Sequence, residues 1–315
     1  MPYFSIIIPV YKTEAFLEKC LQSIKDQTCH DFECLIIDDG SPGIDRPKTS
    51  QELIETNAEF AISNIFNYVC AGDPRFKVLY QANQGQGHAK NLGLRNATWE
   101  RLVFIDSDDF LENDYLEKAY NKLKYQPNGI INYALVKTLE KGKYDDFKNS
   151  VKFLPKTNDL ANLLVFPTWT PTPVNYFWKL EMVKKHSIQF RFAKKAEDTA
   201  FVIENILACY LESKNLKFEQ IETYYIYRQF PDQITKTDNY EIELFQNTIT
   251  FVASKLAELK KIGLKYEVLG RLFILRFSIY KTKLETQNKL KKATLTVLAK
   301  FLSLLAIAIA GTKKS

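Results

Sequence analysis

The sequence predicts an α/β protein, a mixed, mainly parallel sheet flanked by helices, with a C-terminal helical annex. Three observations carry that reading. Short continuous apolar runs at 4–11, 32–41, 77–82 and 101–110 read as buried strands of a covered parallel sheet. Amphipathic stretches alternate with them, giving four strand–helix units in ~110 residues. From 240 onward the pattern is mostly helical.

The elements follow in order. FSIIIPVY (4–11) is the first strand, with Pro9 near its end. In TEAFLEKCLQSIKDQT (13–28), Phe16, Leu17, Cys20, Leu21 and Ile24 share one helical face, and Thr13 stands as an N-cap. FECLIIDDGS (32–41) is a second strand ending in two acids and a Gly-Ser turn. The three together make a right-handed βαβ unit. Residues 43–75 read as a turn, a helix over about 50–70, and a loop ending in GDPRF. KVLYQA (77–82) is the third strand, and GQGHAKNLGLRNA (85–97) a glycine-rich loop opening a helix. RLVFIDSDDF (101–110) is the fourth strand, and NDYLEKAYNKLKY (113–125) an amphipathic helix. GIINYALV (129–136) and IETYYIYRQF (221–230) read as strands, and KAEDTAFVIENILACY (195–210) as a helix. TWTPTPVNYFWK (168–179), aromatic and broken by proline, reads as a loop or strand over a cleft.

Length and charge bound the function. A chain of 315 residues suffices for one large domain with an annex. Residues 281–315 hold eight lysines and one acid, Glu285; taking these from the 43 basic and 37 acidic residues leaves 35 and 36 in residues 1–280. The basic excess is thus a property of the tail, not of a broad binding face, which argues against nucleic acid as a partner. Five cysteines without C-x-x-C spacing point to a reducing, cytoplasmic setting. The N-terminus MPYFSIIIPVY has no basic region and too short an apolar run for a secretory leader.

The chemistry concentrates at strand ends, where open α/β sheets bind ligands. Asp38 and Asp39 end the second strand; Asp106, Asp108 and Asp109 end the fourth. Like charges this close raise one another's pKa unless a cation intervenes. Hard oxygen ligands suit Mg²⁺ or Mn²⁺ bridging to a diphosphate. A lone D-x-D more often caps the following turn or helix, so the rest of the chain decides.

The set SIIIPVYKTEAFLEKCLQSIKDQT, FECLIIDDGSPG, NQGQGHAKNLGL, VFIDSDDF and AEDTAF resembles, in order and spacing, the bacterial inverting family-2 glycosyltransferases of GT-A (Rossmann-like) fold. The resemblance spans roughly residues 3–230. It implies that Pro9 and Tyr11 line the nucleotide-base pocket, that Asp39 hydrogen-bonds the base, and that Gln84 belongs to the same donor-binding set. It implies that Asp106 faces ribose and metal, that Asp108 ligates the metal, and that Asp198 is the general base beside Glu197. The chemistry agrees: a departing diphosphate needs its charge stabilised, and an attacking hydroxyl needs a proton acceptor. On their own, Glu197 and Asp198 equally fit N-terminal helix acids.

Some residues depart from the family pattern. Ala89-Lys90-Asn91 stands where Ala-Arg-Asn is usual; a lysine is a point charge where arginine is a planar fork. Lys90 is a candidate for a phosphate or for an acid such as Asp106, against a solvated lysine at a helix start. The glycines at 85, 87 and 93 do not make a dinucleotide-binding loop. His88 is a sugar or phosphate contact or an ordinary loop histidine. Trp169 and Trp178 are candidates for stacking on sugar, with core packing the alternative. Arg228 is a candidate to reach the diphosphate. YRQFPDQ does not match the Q-x-x-R-W of processive relatives, so a single-sugar transferase is expected.

The predicted organisation is a transferase domain over 1–235, its nucleotide-binding half about 1–110 and its acceptor half about 111–235. A helical annex follows at 236–287. A basic and apolar tail at 288–315 is read as an interfacial helix on the cytoplasmic leaflet of the inner membrane. The apolar stretch Phe301–Gly311 is about half the ~20 residues a membrane span needs. The alternative for the tail is packing on protein. The expected function is metal-dependent transfer of one sugar from a nucleotide-sugar to a glycan or lipid-linked glycan in surface polysaccharide or lipopolysaccharide synthesis. Rival readings are a non-catalytic nucleotide-sugar or glycan-binding protein on the same fold, and a nucleotidylyltransferase. The second is disfavoured because VYKTEAF offers no glycine-rich phosphate loop after the first strand.

Overall fold

The structure is a computed structural model and describes residues 3–41, 61–126, 129–140, 143–146, 172–191, 197–213 and 216–229. The expectations for 43–60, Trp169, the annex at 236–287 and the tail at 288–315 lie outside the described residues.

The elements are β1 (Phe4–Val10), α1 (Glu14–Lys25), β2 (Phe32–Asp38), α2 (Ala61–Cys70), β3 (Phe76–Tyr80), α3 (Gln86–Asn96), β4 (Arg101–Phe104), β5 (Phe110–Leu111), α4 (Tyr115–Leu123), β6 (Ile130–Glu140), β7 (Lys143–Asp146), β8 (Tyr176–Lys179), α5 (Leu180–Lys185), α6 (Glu197–Ser213) and β9 (Lys217–Gln229). The strands form one sheet in the order β3-β2-β1-β4-β8-β6-β9-β5, with β7 on β6. β3, β2, β1 and β4 run parallel. β8 is antiparallel to both β4 and β6, β6 and β9 are parallel, and β5 and β7 are antiparallel additions. The sheet is therefore mixed, as expected, with one parallel block in the first half and a second parallel pair, β6 and β9, in the second.

Every residue of β1, β2 and β4 is buried, which is why these strands read as unbroken apolar runs. Pro9 is tolerated in this central strand because of where it falls. The Ile7 carbonyl bonds the Ile105 amide and the Val10 carbonyl bonds the Asp39 amide, so odd positions of β1 face β4. Pro9 faces β4 beyond Phe104, where the ladder has ended and no donor is required.

Leu17, Cys20, Leu21 and Ile24 form the buried face of α1, as the periodicity predicts. Thr13 holds the N-cap position, but its hydroxyl caps nothing. It pairs instead with the Ser107 hydroxyl at 2.7 Å. α3 packs on β1 and β2, and a Cβ at Gly93 would collide with the Ile7 side chain.

Two expectations need correction. The fourth strand does not run to 110: β4 stops at Phe104, and the acids occupy a turn in which the Asp109 amide bonds the Asp106 carbonyl at 2.9 Å. Residues 176–179 are not a cover over a cleft but the interior strand β8. Trp178 is buried there, its indole N–H donating to the Pro173 carbonyl and its ring 4.9 Å from Tyr176. That ring is core and offers no face to a sugar. All five cysteines are free. Among the described residues no helix is long and apolar enough to cross a membrane.

Candidate functional site

The acids at the carboxyl end of β4 divide into two kinds. Asp109 is fully buried and held by protein: its Oδ2 accepts the Tyr225 hydroxyl at 2.6 Å and its Oδ1 the Arg228 amide at 2.8 Å. Burial, then the charges of Asp108 and Asp106, push its pKa well up, against those hydrogen bonds. The Tyr225 oxygen in turn accepts the Asp106 amide at 3.2 Å. Asp109 thus fastens the turn to β9, while Asp106 and Asp108 remain partly open to solvent.

Asp106 Oδ1 accepts Gln86 Nε2 at 2.8 Å. Desolvation pushes its pKa up to about 7; Lys90 opposes this, and Asp108 and Asp198 add to it. Desolvation raises Asp108 as well, with the Arg228 guanidinium opposing. Carboxylates whose charged forms are disfavoured together would be relieved by a cation.

At the end of β2 the two acids are loop fasteners. Asp38 Oδ1 accepts the Ser41 amide and hydroxyl, both at 2.8 Å. Asp39, also buried, gathers the chain after β3: Oδ1 accepts Gln81 Nε2 at 2.7 Å and the Gln84 amide at 2.9 Å, and Oδ2 the Gly85 amide at 2.8 Å. Gly40 adopts φ +71°, and a Cβ there would lie 2.7 Å from the Asn83 nitrogen. Only glycine lets these loops approach so closely. Tyr11 is 43% exposed beside them, whereas Pro9 is buried within β1. Gln84 and His88 are exposed at the start of α3.

Lys90 has no solvent exposure, so the solvated-lysine alternative fails. Its ammonium donates to Asp198 Oδ1 at 2.7 Å and lies 5.2 Å from the Phe190 ring centre. Burial alone would lower its pKa, but Asp198, Asp106 and Glu197 together hold it above the ordinary lysine value. The neighbouring Glu197 is pushed up to about 7 by burial and then by Asp198, with Lys90 opposing. One buried ammonium therefore serves carboxylates from two separate motifs. Arg228 lies with its guanidinium 5.0 Å from the Phe16 ring and 5.4 Å from the Phe110 ring, near enough to Asp108 to lower that acid's pKa.

The structure thus brings Asp106, Lys90, Glu197 and Asp198 into one electrostatic cluster, with Asp108 and Arg228 coupled to it, while Asp39 gathers the Gln84 loop at the end of β2. Among the described residues no three His, Cys, Asp or Glu side chains converge to hold a metal ion. The Asp106 and Asp108 carboxylates still fit Mg²⁺ or Mn²⁺, hard cations that keep waters and take their remaining ligands from phosphate oxygens. Sequence reasoning overlooked Gln86, Tyr225, Ser107 and Asn91, whose side-chain amide bonds both backbone groups of Phe190. Gln86 and Asn91 sit within the quoted glycine-rich motif, where their polarity was a signal; Tyr225 gives none, because it meets Asp109 from 116 positions away.

Fold and site together define a GT-A-type α/β domain. Residues 5–178 match the model of the family described as glycosyl transferase family 2, and the chain belongs to that family. The chain is 35% identical over 134 residues to a putative glycosyltransferase, EpsH, of Bacillus subtilis, covering 42% of this chain and 34% of that protein. It is 25% identical over 249 residues to an uncharacterized B. subtilis glycosyltransferase, EpsJ, covering 75% and 64%. The chain thus spans about a third of the first relative and under two thirds of the second. The crystal structure of S. aureus TarS 1–349 in complex with UDP-GlcNAc has a similar fold, with TM-score 0.68, 18% identity, and coverage of 96% of this chain and 81% of that one.

Proposed function

We propose that the chain is a metal-dependent, inverting glycosyltransferase that moves one sugar from a UDP-sugar to a hydroxyl of a glycan or lipid-linked glycan acceptor in bacterial surface polysaccharide or lipopolysaccharide synthesis. The observation that carries this reading is the shared position of two acid groups. Asp106 on the β4 turn, next to Asp108, and Asp198 on α6 are joined electrostatically through Lys90. Family membership supports the reaction class. The UDP-GlcNAc in the similarly folded TarS crystal supports a uridine donor.

The roles are those the family resemblance implies, and the geometry is compatible with them. Pro9 and Tyr11 would line the base pocket, with the exposed Tyr11 ring nearer the base. Asp39 shapes the 81–85 loop and has a lone pair left for the base, since two oxygens offer about four acceptor sites. Gln84 lies on the exposed side of that loop. Asp106 and Asp108 would hold Mn²⁺ or Mg²⁺, which when bound supplies Lewis-acid stabilisation of the leaving diphosphate. Arg228 adds positive charge on the same side.

Asp198 takes the proton of the acceptor hydroxyl as its oxygen bonds to the anomeric carbon. The bond from that carbon to the diphosphate oxygen breaks, and the electron pair leaves with UDP. A single attack from the opposite face inverts the centre. Glu197, adjacent and raised toward neutrality, suits a hydrogen bond to the acceptor. Tail residues 288–315 would dock the protein peripherally on the cytoplasmic membrane face, near lipid-linked acceptors.

UDP release from a panel of UDP-sugars with Mn²⁺, compared between wild type and Asp198→Asn, tests the reading. Release that falls at least about 100-fold in the variant supports a base. Equal release in both removes Asp198 from the mechanism.

A further inference from the structure

Two consecutive side chains of α3 reach across the molecule to the half that carries Asp198. Lys90 Nζ donates to Asp198 Oδ1 at 2.7 Å. Asn91, also buried, makes a two-way clamp on a distant residue: its Nδ2 donates to the Phe190 carbonyl at 2.8 Å, and its Oδ1 accepts the Phe190 amide at 2.9 Å. Phe190 stacks on Phe201 of α6, with centroids 4.2 Å apart and planes within 3°. Both rings meet Phe104 of β4 edge-on at 5.3 Å. α3 therefore grips α6 twice, at its first turn through an ion pair and one turn later through an aromatic stack.

The grip has a chemical consequence. An ammonium without solvent contact must keep an anion beside it. Lys90 therefore fixes which oxygen of Asp198 is engaged. Oδ1 carries that bond, leaving Oδ2 the less engaged oxygen and the one for an incoming proton.

We propose that Lys90 and Asn91 form a positioning device that holds the Asp198-bearing helix in register with the nucleotide-sugar half and directs Asp198 Oδ2 toward the acceptor. The proposal rests on the catalytic reading of Asp198 given above. Neither residue touches donor or acceptor in this account; both act through α6.

The test uses the full chain and the variants Lys90→Met, Lys90→Arg and Asn91→Ala. Calorimetry with UDP and Mn²⁺ reads the donor half. UDP release from UDP-GlcNAc reads turnover, and hydrogen exchange at amides 197–203 reads the seating of α6. The expected result for Lys90→Met is turnover down about 100-fold and faster exchange in 197–203, with UDP affinity falling less than turnover, since Lys90 also favours the charged form of Asp106. Lys90→Arg, which keeps the cation, should recover at least tenfold over Lys90→Met. Unchanged exchange in both Lys90→Met and Asn91→Ala would overturn the device, whatever UDP-GlcNAc does. Wild-type protein that neither binds UDP nor turns over any UDP-sugar would instead sink the catalytic reading, while the exchange data still judge the positioning. Should Lys90→Met not fold, the double variant K90M/D198N removes both charges. The proposal expects it to be no less active than Asp198→Asn alone; a further loss would overturn it.

Discussion

Tyr225 and Asp109 stand 116 positions apart, yet the tyrosine hydroxyl donates to the buried carboxylate at 2.6 Å, and the same oxygen accepts the Asp106 amide at 3.2 Å. One phenol therefore braces both ends of the turn that carries the candidate metal ligands. The third acid of the DSDD run is thereby separated from the other two. It anchors the turn, and Asp106 and Asp108 are left partly open to solvent.

Removing that hydroxyl should be costly. Tyr225→Phe leaves one oxygen of buried Asp109 and the Asp106 amide without their partner, so the expected loss is about 1–3 kcal/mol of folding stability. Metal-dependent UDP affinity should weaken several-fold as the turn loosens. Urea unfolding and calorimetry check both, and a variant as stable as wild type would show that the brace contributes nothing.

Asp39 gives a second handle. Its carboxylate accepts three N–H groups from residues 81–85. Asp39→Asn replaces one acceptor oxygen with a donor facing other donors, so thermal stability and UDP affinity should both fall, stability by about 1–3 kcal/mol. A variant with weakened UDP binding and unchanged stability would mean that Asp39 acts on the base and not on the loop.

Glu197 predicts a pH dependence with a definite sign. Burial and Asp198 raise its pKa from 4.5 to about 7. A carboxyl raised on folding contributes stability that is fully present below its unfolded value and lost as pH climbs through the folded one. Glu197→Gln escapes that loss, so its melting temperature relative to wild type should rise between pH 5 and pH 8. A difference that stays flat or falls across that range contradicts the assignment.

Gly93 tests the packing of α3 on the sheet. A Cβ there collides with Ile7 of β1, so Gly93→Ala should destabilise by about 1–3 kcal/mol despite alanine's better helix propensity. Stabilisation would show that the helix can lift without consequence.

Much of this was legible in the sequence, for physical reasons. β1 and β2 are buried on both faces, and such strands announce themselves as continuous apolar runs. The D-x-D turn and the Glu-Asp pair stand out because clustered carboxylates need a reason to exist. What was not legible depends on contacts between distant segments. Nothing local distinguishes Asp109 from Asp108 until Tyr225 and the Arg228 amide arrive from β9. Lys90 looks like a surface lysine in its own helix and becomes a buried cation only because α6 brings Asp198 to it. Trp178 looked like a sugar platform because aromatic residues between prolines suit a loop, but β8 is inserted between β4 and β6 and buries the ring.

Calorimetric titration of UDP with and without Mn²⁺, on wild type and Asp108→Ala, tests the central claim most directly. The expected result is Mn²⁺-dependent binding to wild type that Asp108→Ala abolishes. Equal binding by the two proteins, or wild-type binding indifferent to Mn²⁺, would contradict a donor site built on Asp106 and Asp108.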